Sequence, residues 1–171
     1  MAVLDAYPNQ YKQAELLEFR KRLGLQRQEA EDDALIMQLL TLFAQQQVDM
    51  NRFFRRLCDF DGSDQTVASL MELIALPTAI GDWLLAYERR LKKEIASFPI
   101  RRAQMRKVNP EYILRNYMAE EAIRAAAEGD FSVVHNLLML LRNPTEENDE
   151  FKRFSMSPPD WANGICLTCS S

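Results

Sequence analysis

Residues 105–144 read MRKVNPEYILRNYMAEEAIRAAAEGDFSVVHNLLMLLRNP, and their punctuation is that of two consecutive helices. Asn109 suits the cap of the first helix, and Pro110 suits its first turn, where a missing N–H costs nothing. Tyr112 to Glu128 contains no Gly, no Pro and no β-branched run, so nothing interrupts the helix. Gly129 then fits the left-handed residue past its end, and Asp130 the cap of the next helix. Phe131 to Arg142 continues to the stop at Asn143-Pro144. Tyr112, Leu114, Met118, Ala119, Ala122, Ala125 and Ala126 share one face of the first helix at 3.6-residue periodicity. Arg115 falls near the centre of that face. A guanidinium there is expected to be mostly buried and paired with a carboxylate, because an unpaired buried charge is costly; Glu111, four residues back, offers a local partner.

Working outward from this stretch, the pattern stays helical. Residues 9–22 place Leu16, Phe19 and Leu23 on one side, and Gly24 stops them. Glu29 to Gln47 carries an apolar stripe of Leu35, Leu39, Leu42 and Phe43 behind an acidic first turn. Asp49 can cap a short helix through Leu57. Asp61-Gly62-Ser63-Asp64 reads as a turn, since the glycine and glutamate spacing of a calcium loop is absent. Ser63 to Ile74 forms a further helix. Pro77 opens a long one to about Ser97, with Ile80, Trp83, Leu84, Tyr87, Leu91 and Ile95 on one face, and Pro99 ends it. Residues 100–107 then form a basic connector. The expectation is an all-α fold of six to seven helices in one compact domain, 1–143. An irregular tail, 144–171, wraps it through Phe151, Phe154 and Trp161.

Composition narrows the function classes. A chain of 171 residues with 47% apolar and 27% charged side chains has the balance of a soluble globular protein. No apolar run reaches membrane-span length, and the start lacks the basic-then-apolar order of a signal peptide. Three cysteines do not make a disulfide framework, which points to a reducing compartment, the cytoplasm or an organelle matrix. A net charge of −4 argues against nucleic acid as a partner. Residues 88–107 nevertheless hold eight Lys or Arg against two Glu; without interleaved aromatics this reads as a solvated helix face.

Little catalytic chemistry is legible. Each of the five glycines is isolated, so no Gly-rich phosphate cradle exists. The single histidine, His135, reads as structural, and one His with three Cys gives no four-ligand zinc spacing. Taken alone, the chain does not read as an enzyme, and it carries no cofactor site of its own. Cys166-Leu167-Thr168-Cys169 is the exception. Two thiols at this spacing either close a small disulfide or sit as ordinary thiols on a tail. They should be accessible, whereas Cys58, beside Leu57 and Phe54, should be buried.

The order MRKVNPEYILRN, AI, EGD, LRNP, PPDW and a terminal CSS resembles the C-terminal part of the SelO (selenoprotein O) family. RLGL at 22–25, FFRRL at 53–57 and Trp83…Tyr87…Arg90 extend the resemblance over essentially the whole chain. It implies the C-terminal helical region of a longer protein adenylyltransferase. Such a protein binds ATP with Mg in a kinase-like, pseudokinase-type domain and transfers AMP to protein Ser, Thr or Tyr. That domain would be this chain's partner and would bring the protein substrates; no nucleic acid and no membrane is implied. Its ATP and metal residues fall outside this sequence, so none is carried over. The family's terminal cysteine maps onto Cys169, a selenocysteine position in animal members, and implies redox regulation through a bridge to the catalytic domain. Two other readings stay open: a free-standing helical interaction module, and a thiol redox protein using Cys166 and Cys169.

Overall fold

The computed structural model describes residues 2–162. Among them are eight α-helices and two 3₁₀ segments, with no strand. The helices are α1 (Ala2–Arg22), α2 (Asp32–Gln46), α3 (Met50–Leu57), α4 (Asp64–Met71), α5 (Thr78–Leu91), α6 (Phe98–Val108), α7 (Asn116–Ala127) and α8 (Ser132–Arg142). The 3₁₀ segments are Asp149–Ser155 and Asp160–Ala162. The all-α class is as expected, with more helices than six or seven. The chain divides into two compact units, Met1–Asn109 and Pro110–Ser171.

Local chemistry explains most helix ends. Gly24 (φ +71°) closes α1: Leu25 N–H donates to Arg20 O and Gly24 N–H to Lys21 O, the two bonds of a left-handed C-terminal cap. A side chain at Gly24 would meet Met105 Sδ at 2.7 Å and Arg101 Cγ at 2.8 Å, so the glycine also permits the close approach of α6. Gly129 (φ +87°) closes α7 in the same way, with Asp130 N–H on Ala125 O and Gly129 N–H on Ala126 O. The side chain of Asp49 caps α3 by accepting from Arg52 N–H, and that of Ser63 caps α4 by accepting from Thr66 N–H.

Two expectations need correction. Pro99 opens a helix instead of ending one. Ser97 is extended (ψ 159°), and Pro99 stands in the first turn of α6, where it forfeits no hydrogen bond. The run 100–107 is therefore helical, the long helix from Pro77 stops at Leu91, and Ile95 is 86% exposed instead of facing the core. Asn109 ends α6 instead of capping the next helix. Residues 110–115 are not helical, because Glu111 N–H and Tyr112 N–H both donate to Pro144 O, at 2.7 and 3.0 Å.

The first unit is built around Phe53, Phe54, Leu57, Phe60, Trp83 and Tyr87, all at most 4% exposed. Each such side chain contributes roughly 1.5–3 kcal/mol by leaving water. Phe53 meets Phe43 edge-on at 4.9 Å between centroids, and Trp83 stacks on Tyr87 at 5.0 Å. Trp83 Nε1 donates to Leu35 O, and Tyr87 Oη to Leu23 O, so neither polar tip is left unsatisfied. The second unit packs Tyr112, Tyr117, Met118, Ala122, Leu137, Leu140 and Phe154 together. Tyr112 Oη donates to Asn148 O and accepts from Asn148 N–H, which pins the chain after α8. Phe151 packs on this core, and Trp161 stands edge-on to Tyr117 at 6.0 Å. Residues 144–162 thus pack onto the second unit through Phe151, Phe154 and Trp161, the three side chains expected to hold them.

Candidate functional site

The buried polar side chains of the described residues gather in the first unit, where the segments RLGL, FFRRL, Trp83…Arg90 and MRKVN meet. Asn109 is fully buried. Its Oδ1 accepts from Arg22 Nε at 3.0 Å, and its Nδ2 donates to Arg22 O at 2.9 Å. Its backbone carbonyl accepts from Arg55 Nη1 at 3.1 Å. The Arg22 guanidinium lies 4.1 Å over the Phe54 ring. One asparagine therefore ties the ends of α1 and α6 to α3.

A second cluster fixes the loop between α1 and α2. Arg90, 2% exposed, donates from Nε to Asp32 Oδ1 at 2.6 Å, from Nη1 to Glu94 Oε1 at 2.8 Å, and from Nη2 to Arg27 O at 2.6 Å. Burial disfavours the charged guanidinium, but Asp32 and Glu94 outweigh it and hold its pKa above the usual value. Glu94 also accepts from Gln26 N–H at 3.1 Å. Arg101 donates to Phe60 O at 2.6 Å and to Tyr87 Oη at 3.3 Å. Arg102 and Arg106 both pair with Asp59, and Lys93 pairs with Glu31. Within the basic run 88–107, Arg90 and Arg101 are thus buried on internal partners, whereas Arg89, Lys92, Lys93 and Lys107 stand exposed, as the solvated face that its composition suggests.

These clusters position backbone. Cys58 is fully buried, as expected; its Sγ donates to Phe54 O and takes a contact from Asn109 Nδ2 at 3.6 Å. Burial pushes its thiol pKa up, the opposite of what a nucleophile needs. Burial likewise raises the Tyr87 phenol. Asp61, in the 61–64 turn, accepts from Ser63 N–H and Thr66 Oγ1, both at 2.9 Å; hydrogen bonding from the Ser63 side chain, then from its backbone and from Thr66, holds the carboxyl down to about 2. It is a turn-former, and among the described residues no group of three potential metal ligands occurs.

The remaining residues singled out from sequence are placed as follows. Arg115 precedes α7 in extended conformation (φ −109°, ψ 151°), half-buried, instead of lying on a helical face. His135 is exposed on α8. Cys166 and Cys169 lie outside the described residues. The residues that sequence reasoning missed as structural centres are Asn109, Arg90 and Arg101. Their one sequence signal is a polar residue inside an apolar pattern, as with Arg90 between Tyr87 and Leu91.

The family profile described as protein adenylyltransferase SelO matches residues 1–142. The protein nucleotidyltransferase YdiU of Hahella chejuensis is 41% identical over 98% of this chain and 34% of its own length. Its namesake in Aliivibrio fischeri is 41% identical over 89% of this chain and 31% of its length. That of Cupriavidus metallidurans is 35% identical over 98% and 31%. The chain spans about a third of the length of the curated relatives it matches.

Proposed function

The chain belongs to the SelO family of protein adenylyltransferases, and from that premise we propose that it is the C-terminal helical region of such an enzyme. In this reading it supports a kinase-like catalytic domain and carries a redox-regulatory tail at Cys166 and Cys169, without catalysing AMP transfer by itself. The observation that carries the reading is the pairing of a family match over residues 1–142 with coverage of only a third of the relatives' length. The interior supports it too. The buried charges of the first unit are committed to each other and to backbone carbonyls, as Arg90 is to Asp32, Glu94 and Arg27, which suits a scaffold. ATP and Mg then belong to the rest of the protein, as do the hydroxyl-bearing protein substrates.

Incubation of the purified chain with labelled ATP, Mg and a protein acceptor tests the first part. No label is expected in the acceptor or in the chain; incorporation that depends on this chain alone overturns the reading. For the tail, Cys169→Ser in a full-length relative carrying this sequence is expected to remove the sensitivity of AMP transfer to oxidant. Unchanged sensitivity removes the redox role and leaves the support role standing.

A further inference from the structure

Helices α4 and α5, with the turn at Phe60–Gly62, enclose a cleft of about 390 Å³ in the first unit. Its floor is apolar, formed by Phe60, Val67, Met71 and Leu84, and Leu85 stands on its rim, 59% exposed. Asp82 and Glu88 line its edge. Among the described residues Asp82 is exposed and makes no ion pair, and Glu88 pairs with Lys92 of its own helix, at 3.2 Å.

Gly81 lies in this cleft, inside α5. Its backbone does not have the positive φ of Gly24, Gly62 or Gly129. A Cβ built on it would meet nothing within 4 Å. Neither conformation nor internal packing asks for glycine, and glycine is a poor helix former. What its missing side chain does is leave that part of the cleft's lining open to close approach by another molecule.

We propose that this cleft seats an apolar side chain of a segment carrying Lys or Arg, contributed by the part of a SelO protein that lies outside this chain. The floor supplies the apolar contact, and Asp82 and Glu88 select a cationic flank. The source is argued from length: about two-thirds of each curated relative lies outside the matched region, and in the proposed function that part packs against this chain. The inference rests on the proposed function and adds the surface through which it operates.

Short overlapping peptides covering the unmatched two-thirds of the Hahella chejuensis relative are the probe, titrated against the full chain by fluorescence polarisation. An apolar peptide bearing Lys or Arg is expected to bind. Gly81→Leu, which fills the cleft, and Asp82→Lys, which reverses its edge, are each expected to weaken binding at least about tenfold. Gly81→Leu should melt no lower than the parent, since it replaces a poor helix former in open space. Asp82→Lys, at an exposed site, keeps the test valid if Gly81→Leu fails to fold. No binding by any peptide, or binding indifferent to both substitutions, overturns the proposal. Self-association that Gly81→Leu abolishes also overturns it, by giving the cleft to a second copy. Co-expression with the unmatched part of the relative separates the two readings. Association that survives Gly81→Leu leaves the proposed function and removes the cleft. Peptide binding in the cleft without association leaves the cleft and removes the support role.

Discussion

The two units solve the same problem with different materials. The first buries Asp32, Arg55, Arg90, Arg101 and Asn109 among large aromatics. The second, among its described residues, buries only apolar and tyrosine side chains, and it locks its loops through backbone carbonyls and one phenol. A buried charge adds little net stability but forbids alternatives, because misplacing it leaves it unpaired. The first unit should therefore be rigidly specified. The second, smaller and shallower, should be the first to open, because small units bury less of their surface. Each holds one tryptophan, Trp83 buried and Trp161 half-exposed, so single-Trp variants report on them separately.

The strongest way to break the comparison is Asp32→Ala. It strips the buried Arg90 of its 2.6 Å partner and is expected to cost about 4 kcal/mol in the Trp83-reported transition. The Trp161 signal should not move. A loss shared equally by both probes would mean one cooperative body and no such division.

Phe154→Ala is the reciprocal test. Phe154 is 3% exposed in the second core, and its removal is expected to cost about 3 kcal/mol in the Trp161 transition alone. Tyr112→Phe sharpens the same point. It deletes both hydrogen bonds to Asn148 and should cost about 1–2 kcal/mol, with faster amide exchange at Asn148.

Local signals were legible in the sequence. Gly24, Gly129, Asp49 and Ser63 each mark a helix end by chemistry that acts within a few residues, and the structure puts each at such an end. The long-range assignments were not legible. Asn109 has a good capping side chain, but Arg22, 87 positions away in sequence, engages it, and only the fold reveals that. Ile95 fits the periodicity of α5, yet the helix has already stopped, so the period runs past its element. Arg90 and Arg101 look like surface cations until the carboxylate and the carbonyls that receive them are in place. The cleft was illegible for the same reason: Gly81 is one more isolated glycine until the space around it is known.

The smallest expected effect concerns pH. Cys58 and Tyr87 are neutral when protonated, and burial raises both above their usual values. The native first unit therefore holds these protons more tightly than the unfolded chain. Its stability from them is complete below the unfolded values, about 8.5 for a thiol and about 10 for a phenol, and is lost as pH rises through the raised ones. The Trp83 transition should weaken above about pH 9, and Cys58→Ala should flatten that decline. Native alkylation of Cys58 should be slow and should quicken only as the first unit opens; fast labelling at neutral pH would show that its burial is not maintained.

The central claim is that this helical third completes a SelO enzyme, and deletion tests it most directly. The matched third is removed from the Hahella chejuensis relative, and transfer of labelled AMP to a protein acceptor is measured with and without that third supplied as a separate chain. The account predicts that transfer is lost on deletion and recovered on addition. Full transfer by the truncated protein would contradict it.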